Sequence, residues 1–530
     1  MNPQLQFMLQ QALQSFQAGN FDRASSILYK IIQSDSKCFP ALHILGLIKA
    51  STGDFKGAAE LLTKAVRIQP ADASIQFNLA KALADSGLHE SSIPHHKRAV
   101  ELNPMHLDAW INYGVTLSHL SRAEEALTMF ERVISLQPNH VQAWSNRGNA
   151  LHSLKRYEQA IESFEKAIQL DPNFAAVHYN LAITQQELHL LENAISSFRK
   201  SIALNHQSAS ARWNLALCYL LQGNLKDGFI EHEARWDRGE AGNNIEKRIF
   251  DKPLWLGAEN LEGKTIFIYG EQGLGDFIQF CRYVKLIARR GAQVILEVPE
   301  PLLDLMTDLE GVVQITKKGE SPPTFDFHCP LLSLPLALKT SLETIPNESP
   351  YLKLDQHPEK IHEWKERLSA LQSENTKPKI GLVWSGNPNH KNDSNRSMHL
   401  ETLLQYLPQQ FDYIILQKEI RECDRLSLIN YPQVLNFSDD LHNFMDTASL
   451  IENLDLVISV DTSVAHLSGA LGKKTWVLLP YTPDWRWLLD RIDSPWYPTM
   501  VLYRQLTPGN WVSVLEKLKA DLLEAYRIKE

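Results

Sequence analysis

Cysteine is scarce and scattered: the five in the chain, Cys38, Cys218, Cys281, Cys329 and Cys423, form no C-x-x-C pair. Neither a zinc site nor a disulfide framework can be read from them, and a reducing cytoplasm is the expected setting. An excess of basic charge is missing as well. Lys and Arg number 53 against 62 Asp and Glu, a net charge of −9 with pI near 6.1. The footprint that grips phosphate backbones is therefore absent, and nucleic acid is excluded as an expected partner. The opening stretch MNPQLQFMLQQALQSF has no basic segment followed by an apolar one. No run approaches the roughly 18 apolar residues of a membrane span, so no transmembrane segment is expected. At 530 residues the chain is too long for one core and calls for two to four domains.

What is present first is a period. Pro70, Pro104, Pro138 and Pro172 stand 34 residues apart, the spacing of a tetratricopeptide array. Counted from three residues past each proline, the eighth place is small: Gly46, Ala80, Gly114, Gly148, Ala182, Ala216. The twentieth place holds Ala58, Ala126, Ala160 and Ala194, and the twenty-fourth holds Phe130, Phe164 and Phe198. Paired antiparallel helices explain this, with small residues where the helices approach and large ones where a gap is filled. Gly19, Gly53, Gly87 and Gly223 mark the turns on the same period. The phase runs from Ala12 to Tyr219, six units and a degenerate seventh, and predicts a helical solenoid over residues 1–236. Its concave face suits another polypeptide.

Past Trp236 the helical period dissolves into a linker, residues 237–260, carrying Gly239, Gly242, Pro253 and Gly257. Strand-like runs then alternate with helical patterns: Thr265–Tyr269, Gln293–Val298, Phe325–His328, Ile380–Trp384, Tyr413–Gln417, Leu456–Ser459 and Thr475–Leu479. That alternation predicts α/β units with parallel sheets. A polar span, Thr340 to Lys377, divides them into two Rossmann-like halves, 261–350 and 378–530, joined by residues 351–377.

Two clusters carry candidate chemistry. Thr265–Tyr269 leads into Gly270-Glu271-Gln272-Gly273-Leu274-Gly275-Asp276 and then an amphipathic helix. Such a turn exposes backbone N–H groups to an anion; a tight βα turn needing glycine only for positive φ would look the same. The spacing is not G-x-G-x-x-G, and Gly263-Lys264-Thr265 is no phosphate loop, because a strand follows it. Asp276 fits a helix-start acid or a general base facing a cleft. In the second half, Ile380–Trp384 precedes the polar loop Ser385 to Ser397, whose Lys391 and Arg396 suit a diphosphate, though a solvated surface loop has the same composition. Farther on, an apolar strand ends in Asp461-Thr462-Ser463 and a small-residue helix begins, gathering hydroxyls and N–H groups at a positive helix end. His466, one turn in, taken alone fits a core histidine.

Together, the block Asp455–Gly472, the Gly273-Leu274-Gly275-Asp276 turn and the loop ending at Arg396 resemble the heptosyltransferase-like glycosyltransferases of family nine, which have the GT-B fold. The resemblance spans about Leu261 to Leu522, and Val460-Asp461-Thr462-Ser463-x-x-His466-Leu467 is its most specific part. It implies Asp276 as catalytic base. It implies Gly273, Gly275, Gln417, Asp461, Thr462, Ser463 and His466, with Arg396 and Lys391 as the basic residues, as the set that holds the donor. The tail Pro480–Trp487 departs from the lipopolysaccharide enzymes, so sugar and acceptor are not inherited from them. Repeats followed by such a transferase look like bacterial protein glycosyltransferases, including those that modify flagellin, and parallel the O-linked N-acetylglucosamine transferases in domain order.

The resemblance implies a nucleotide-sugar donor, an acceptor hydroxyl, single-displacement chemistry with inversion, and a protein acceptor held by the array. No D-x-D occurs in the chain, so no metal or other cofactor is expected. The alternatives are a repeat scaffold with a degenerate transferase and a transferase acting on a glycan or lipid.

Overall fold

The computed structural model describes residues 3–239, 247–370, 377–390 and 392–527; Gly242 and Lys391 lie outside the described residues. The chain divides into two compact units, Met1–His206 and Gln207–Glu530.

Among the described residues of the first unit twelve helices form six antiparallel pairs, from α1 (Pro3–Gln17) and α2 (Phe21–Ser34) to α11 (Ala175–Glu187) and α12 (Leu191–Leu204). Several begin at a side-chain cap: Asn20, Asp54 and Asp72 accept from the N–H three residues on, which satisfies a donor the helix cannot. The eighth and twenty-fourth places of each repeat meet in the core. A Cβ on Gly114 would stand 2.6 Å from Phe130 Cε1, and one on Gly148 2.5 Å from Phe164 Cε1. In the third repeat the twenty-fourth place is His96, fully buried like the phenylalanines. Each proline has a structural task besides ending a helix. Its carbonyl accepts a hydrogen bond from the side chain six residues on: Gln76 to Pro70, Trp110 to Pro104, Trp144 to Pro138, His178 to Pro172, at 2.7 to 3.0 Å.

The turn between paired helices needs a left-handed residue. Gly19, Gly53 and Gly87 supply it with φ of 74°, 84° and 82°, and the same place in the next three repeats is Ser121, Lys155 and His189, at φ of 59°, 59° and 57°. An L side chain is strained there. Lys155→Gly is therefore expected to stabilise the array by about 0.5–1 kcal/mol, seen as a higher urea midpoint. An unchanged midpoint would show that the strain is not there to relieve.

The seventh helix pair, α13 (Ala209–Gln222) and α14 (Leu225–His232), continues the sequence phase but belongs by contact to the second unit. A helical turn, Glu233–Asp237, follows it. Two parallel sheets come next. The first contains β1 (Thr265–Tyr269), β2 (Gln293–Val298), β3 (Val312–Lys317) and β4 (Phe327–Pro330) in the order β3-β2-β1-β4. The second contains β5 (Lys379–Val383), β6 (Asp412–Ile415), β7 (Leu435–Asn436), β8 (Leu456–Val460), β9 (Thr475–Leu479) and β10 (Met500–Arg504). Its order is β10-β9-β8-β5-β6-β7, which read from the other edge is the doubly wound 3-2-1-4-5-6. The first sheet repeats the opening of that order. Each half thus has a switch point, between β1 and β4 and between β5 and β8, where loops leave in opposite directions and open a crevice at the strand ends.

Candidate functional site

Residues from both switch points meet. After β1 the glycine turn opens α15 (Leu274–Phe280), and after β8 Thr462 precedes the helix Ser463–Ala470. The starts of these helices touch: a Cβ on Gly275 would be 3.0 Å from His466 Cδ2 and 3.4 Å from Ser463 Cα. Gly270, Gly273 and Gly275 all lack positive φ, so turn conformation is not what requires glycine here. Close approach is. A Cβ on Gly270 would meet Phe277 at 2.6 Å, and Gly273 has Asp276 Oδ2 beside it.

Asp276 has both carboxylate oxygens engaged. Gly273 N–H donates to Oδ2 at 2.9 Å, so the Asp276 carboxylate reaches back to the residue that precedes its helix, and Arg486 Nη2 donates to Oδ1. Arg486 reaches across from the second half, where its Nη1 donates to Asp484 Oδ1 at 2.8 Å, and its Nε donates to Gln279 Oε1 of α15 at 2.7 Å. A second arginine ties the halves from the other side. Arg282 donates to Tyr351 Oη at 2.9 Å and lies over the rings of Tyr351 and Tyr497.

At the second switch point Arg396 Nη1 donates to the Asp461 carbonyl at 2.9 Å, and its guanidinium lies so close to Gly386 that a Cβ there would stand 2.6 Å from Nη2. A cation is thereby fixed beside the start of the Ser463–Ala470 helix. Burial, with Asp484 nearby, pushes the Asp461 carboxyl up to about 6 against the pull of Arg396. Thr462 Oγ1 lies 3.1 Å from Ser459 Oγ. His466 is buried, stacked on Trp487 and 2.9 Å from Tyr497 Oη through Nδ1. Burial and the surrounding arginines hold its pKa well below the ordinary value, so it is a neutral imidazole packed in the wall of the site.

Gln417 is engaged within the fold. Its Oε1 accepts from the N–H groups of Trp384 and Ser385, and its Nε2 donates to Ser385 Oγ and the Glu419 carbonyl, locking the ends of β5 and β6 together. The structure thus brings together Asp276, Gly273, Gly275, Ser463 and His466, sets Arg396 against Asp461, and ties Gln417 to Ser385. Asp484 and Arg486 escaped sequence reasoning; they lie in an aperiodic, tryptophan-rich segment with no spacing to mark them. His399, Cys423 and Asp424 also lie close enough to share a metal ion, and the Asp424 oxygens accept from Trp384 Nε1 and Leu400 N–H.

The N-terminal helices are tetratricopeptide repeats: residues 45–104, 107–140, 141–174 and 163–196 match the family under that description. An α/β region with parallel sheets follows them. The chain is 24% identical over 332 residues to Protein FlbA of Caulobacter vibrioides, across 57% of this chain and 53% of FlbA. It therefore spans about half the length of that curated relative. Among solved structures, it is similar to YrrB, described as a TPR protein with an unusual peptide-binding site (25% identity, TM-score 0.31, 32% of this chain and 88% of that one), and to MamA (23%, 0.30, 33% and 96%). Among the described residues no helix is long and apolar enough to cross a membrane.

Proposed function

We propose that the second unit is an inverting, metal-independent glycosyltransferase of the GT-B kind and that the repeats hold its acceptor, a protein. The observation that carries this reading is the meeting of two switch points, one presenting a carboxylate, Asp276, and the other a helix start with hydroxyls and Arg396. The donor diphosphate would lie against the N–H groups of Ser463 and its neighbours and the Arg396 guanidinium, which offset the charge of the leaving group. An acceptor hydroxyl oxygen attacks the anomeric carbon as the bond from that carbon to the diphosphate breaks. The bonding pair leaves with the diphosphate, the hydroxyl proton passes to Asp276, and one displacement inverts the centre.

A polypeptide acceptor suits the array. Asn78, Asn112, Asn146 and Asn180 recur at one helical place in successive repeats, each an amide able to donate and accept. An extended chain presents the same pair of groups at every residue.

The test is the melting temperature of the full chain in the presence of ADP, CDP, GDP or UDP. One of the four is expected to raise it, because a ligand that binds only the folded state stabilises that state. Arg396→Ala is then expected to weaken that diphosphate by about 1–3 kcal/mol, the loss of a hydrogen bond to a charged group. No shift with any of the four would remove the transferase reading.

A further inference from the structure

Arg235 stands at the end of the last helix pair, outside the α/β sequence, and its side chain is fully buried. Its Nη2 donates to Glu271 Oε1 at 3.0 Å and to Ser333 Oγ at 2.6 Å, and its Nη1 to Glu233 Oε1 at 2.6 Å; Ser333 Oγ in turn donates to Glu233. Glu271 lies in the glycine turn after β1, and Ser333 in the helical turn Leu331–Ser333 after β4. These strands flank the switch point of the first sheet. One guanidinium therefore ties the two lips of the crevice where Asp276 begins its helix. The same helix pair reaches the other half as well, since the Phe229 ring of α14 packs edge-on against Trp485, next to Arg486.

The glycine turn needs such an anchor. Gly270 and Gly273 leave the backbone between β1 and α15 few side-chain restraints, and Glu271 is buried with its carboxylate against Arg235. A planar fork satisfies several acceptors in one fixed geometry, which a lysine cannot do.

We propose that Arg235 is a positioning residue of the site: it fixes the glycine turn, and with it the reach of Asp276, so that the last repeat pair is a working part of the second unit. The catalytic consequence rests on the transferase reading; the positioning does not.

The test uses the full chain with Arg235→Met, Arg235→Lys and, as a partner control, Glu271→Gln. Amide hydrogen exchange over residues 270–276 is expected to rise at least tenfold in Arg235→Met, less in the other two, with β8 unchanged in all three. With the nucleoside diphosphate found to stabilise the wild type, Arg235→Met is expected to bind with unaltered affinity while turnover of the corresponding nucleotide sugar falls at least tenfold. Unchanged exchange over 270–276, or an equal rise there and in β8, would overturn the positioning role. Normal turnover beside faster exchange would overturn its catalytic consequence. If no diphosphate binds the wild type, it is the transferase reading that fails, and exchange alone decides the positioning.

Discussion

Asp276→Asn is expected to lower turnover by roughly 10²–10⁴ while leaving affinity for the nucleoside diphosphate nearly intact, the signature of losing a general base. The amide keeps an oxygen for the Gly273 N–H and so keeps the cap on α15. It removes the negative charge that faces Arg486, but that guanidinium retains Asp484 and Gln279. The fold is therefore expected to survive and the chemistry to fail. In the proposed reaction the diphosphate lies against the second half, around Thr462, Ser463 and Arg396, so its binding is not expected to follow turnover down. Single-turnover rates beside calorimetric affinity separate the two effects. Full turnover in a folded Asp276→Asn protein would take the base role away from this residue.

Acidification is expected to unfold the repeats earlier than their carboxylates alone would, and the cause is His96. It occupies the place that Phe130, Phe164 and Phe198 fill elsewhere, with no exposed surface and Nε2 3.1 Å from Thr116 Oγ1. Burial, helped by His95, pushes its pKa down to about 4. An unfolded histidine titrates near 6.5. Above that value both states are neutral and the full stability is present. As the pH falls from 6.5 toward 4, the unfolded chain takes up a proton that the folded one refuses, at a cost of about 2 kcal/mol by pH 5 and about 3 kcal/mol by pH 4. His43, His95 and His152 are lowered by burial too and act with the same sign. His96→Phe restores the aromatic residue of the other repeats and is expected to flatten this acid limb. Urea midpoints at pH 7.5 and pH 5 measure it; parallel losses in wild type and variant would show that His96 is not the cause.

The array was legible because its signal is repeated. Gly19, Gly53 and Gly87 reveal the left-handed turn by residue type, whereas Ser121, Lys155 and His189 reveal it only through the phase, since nothing in those side chains asks for positive φ. In the second unit β1, β2 and β9 were readable to the residue, because buried parallel strands are dense in β-branched and aromatic side chains. The edge strands β3, β7 and β10 were not. β3 has a single buried residue, Thr316, and β7 is two residues long, so neither leaves an apolar run. The candidate site divides the same way. Asp276 and Asp461–Ser463 follow strands in recognisable turns, but Arg235 and Arg486 act over long sequence separations from positions with no local signature. The phase also carried α13 and α14 into the array, because packing against a different neighbour leaves the repeat's own pattern unchanged.

That last pair divides the protein into a part free to vary and a part that is not. Removal or duplication of whole periods upstream of Gln207, such as residues 107–140, is expected to leave the register of the remaining helices unchanged, because each repeat of a solenoid contacts only its neighbours. The pair carrying Phe229 and leading into Arg235 has no such freedom. Descendants of this chain could therefore lengthen or shorten the array in steps of one repeat, while the pair leading into Arg235 keeps its length.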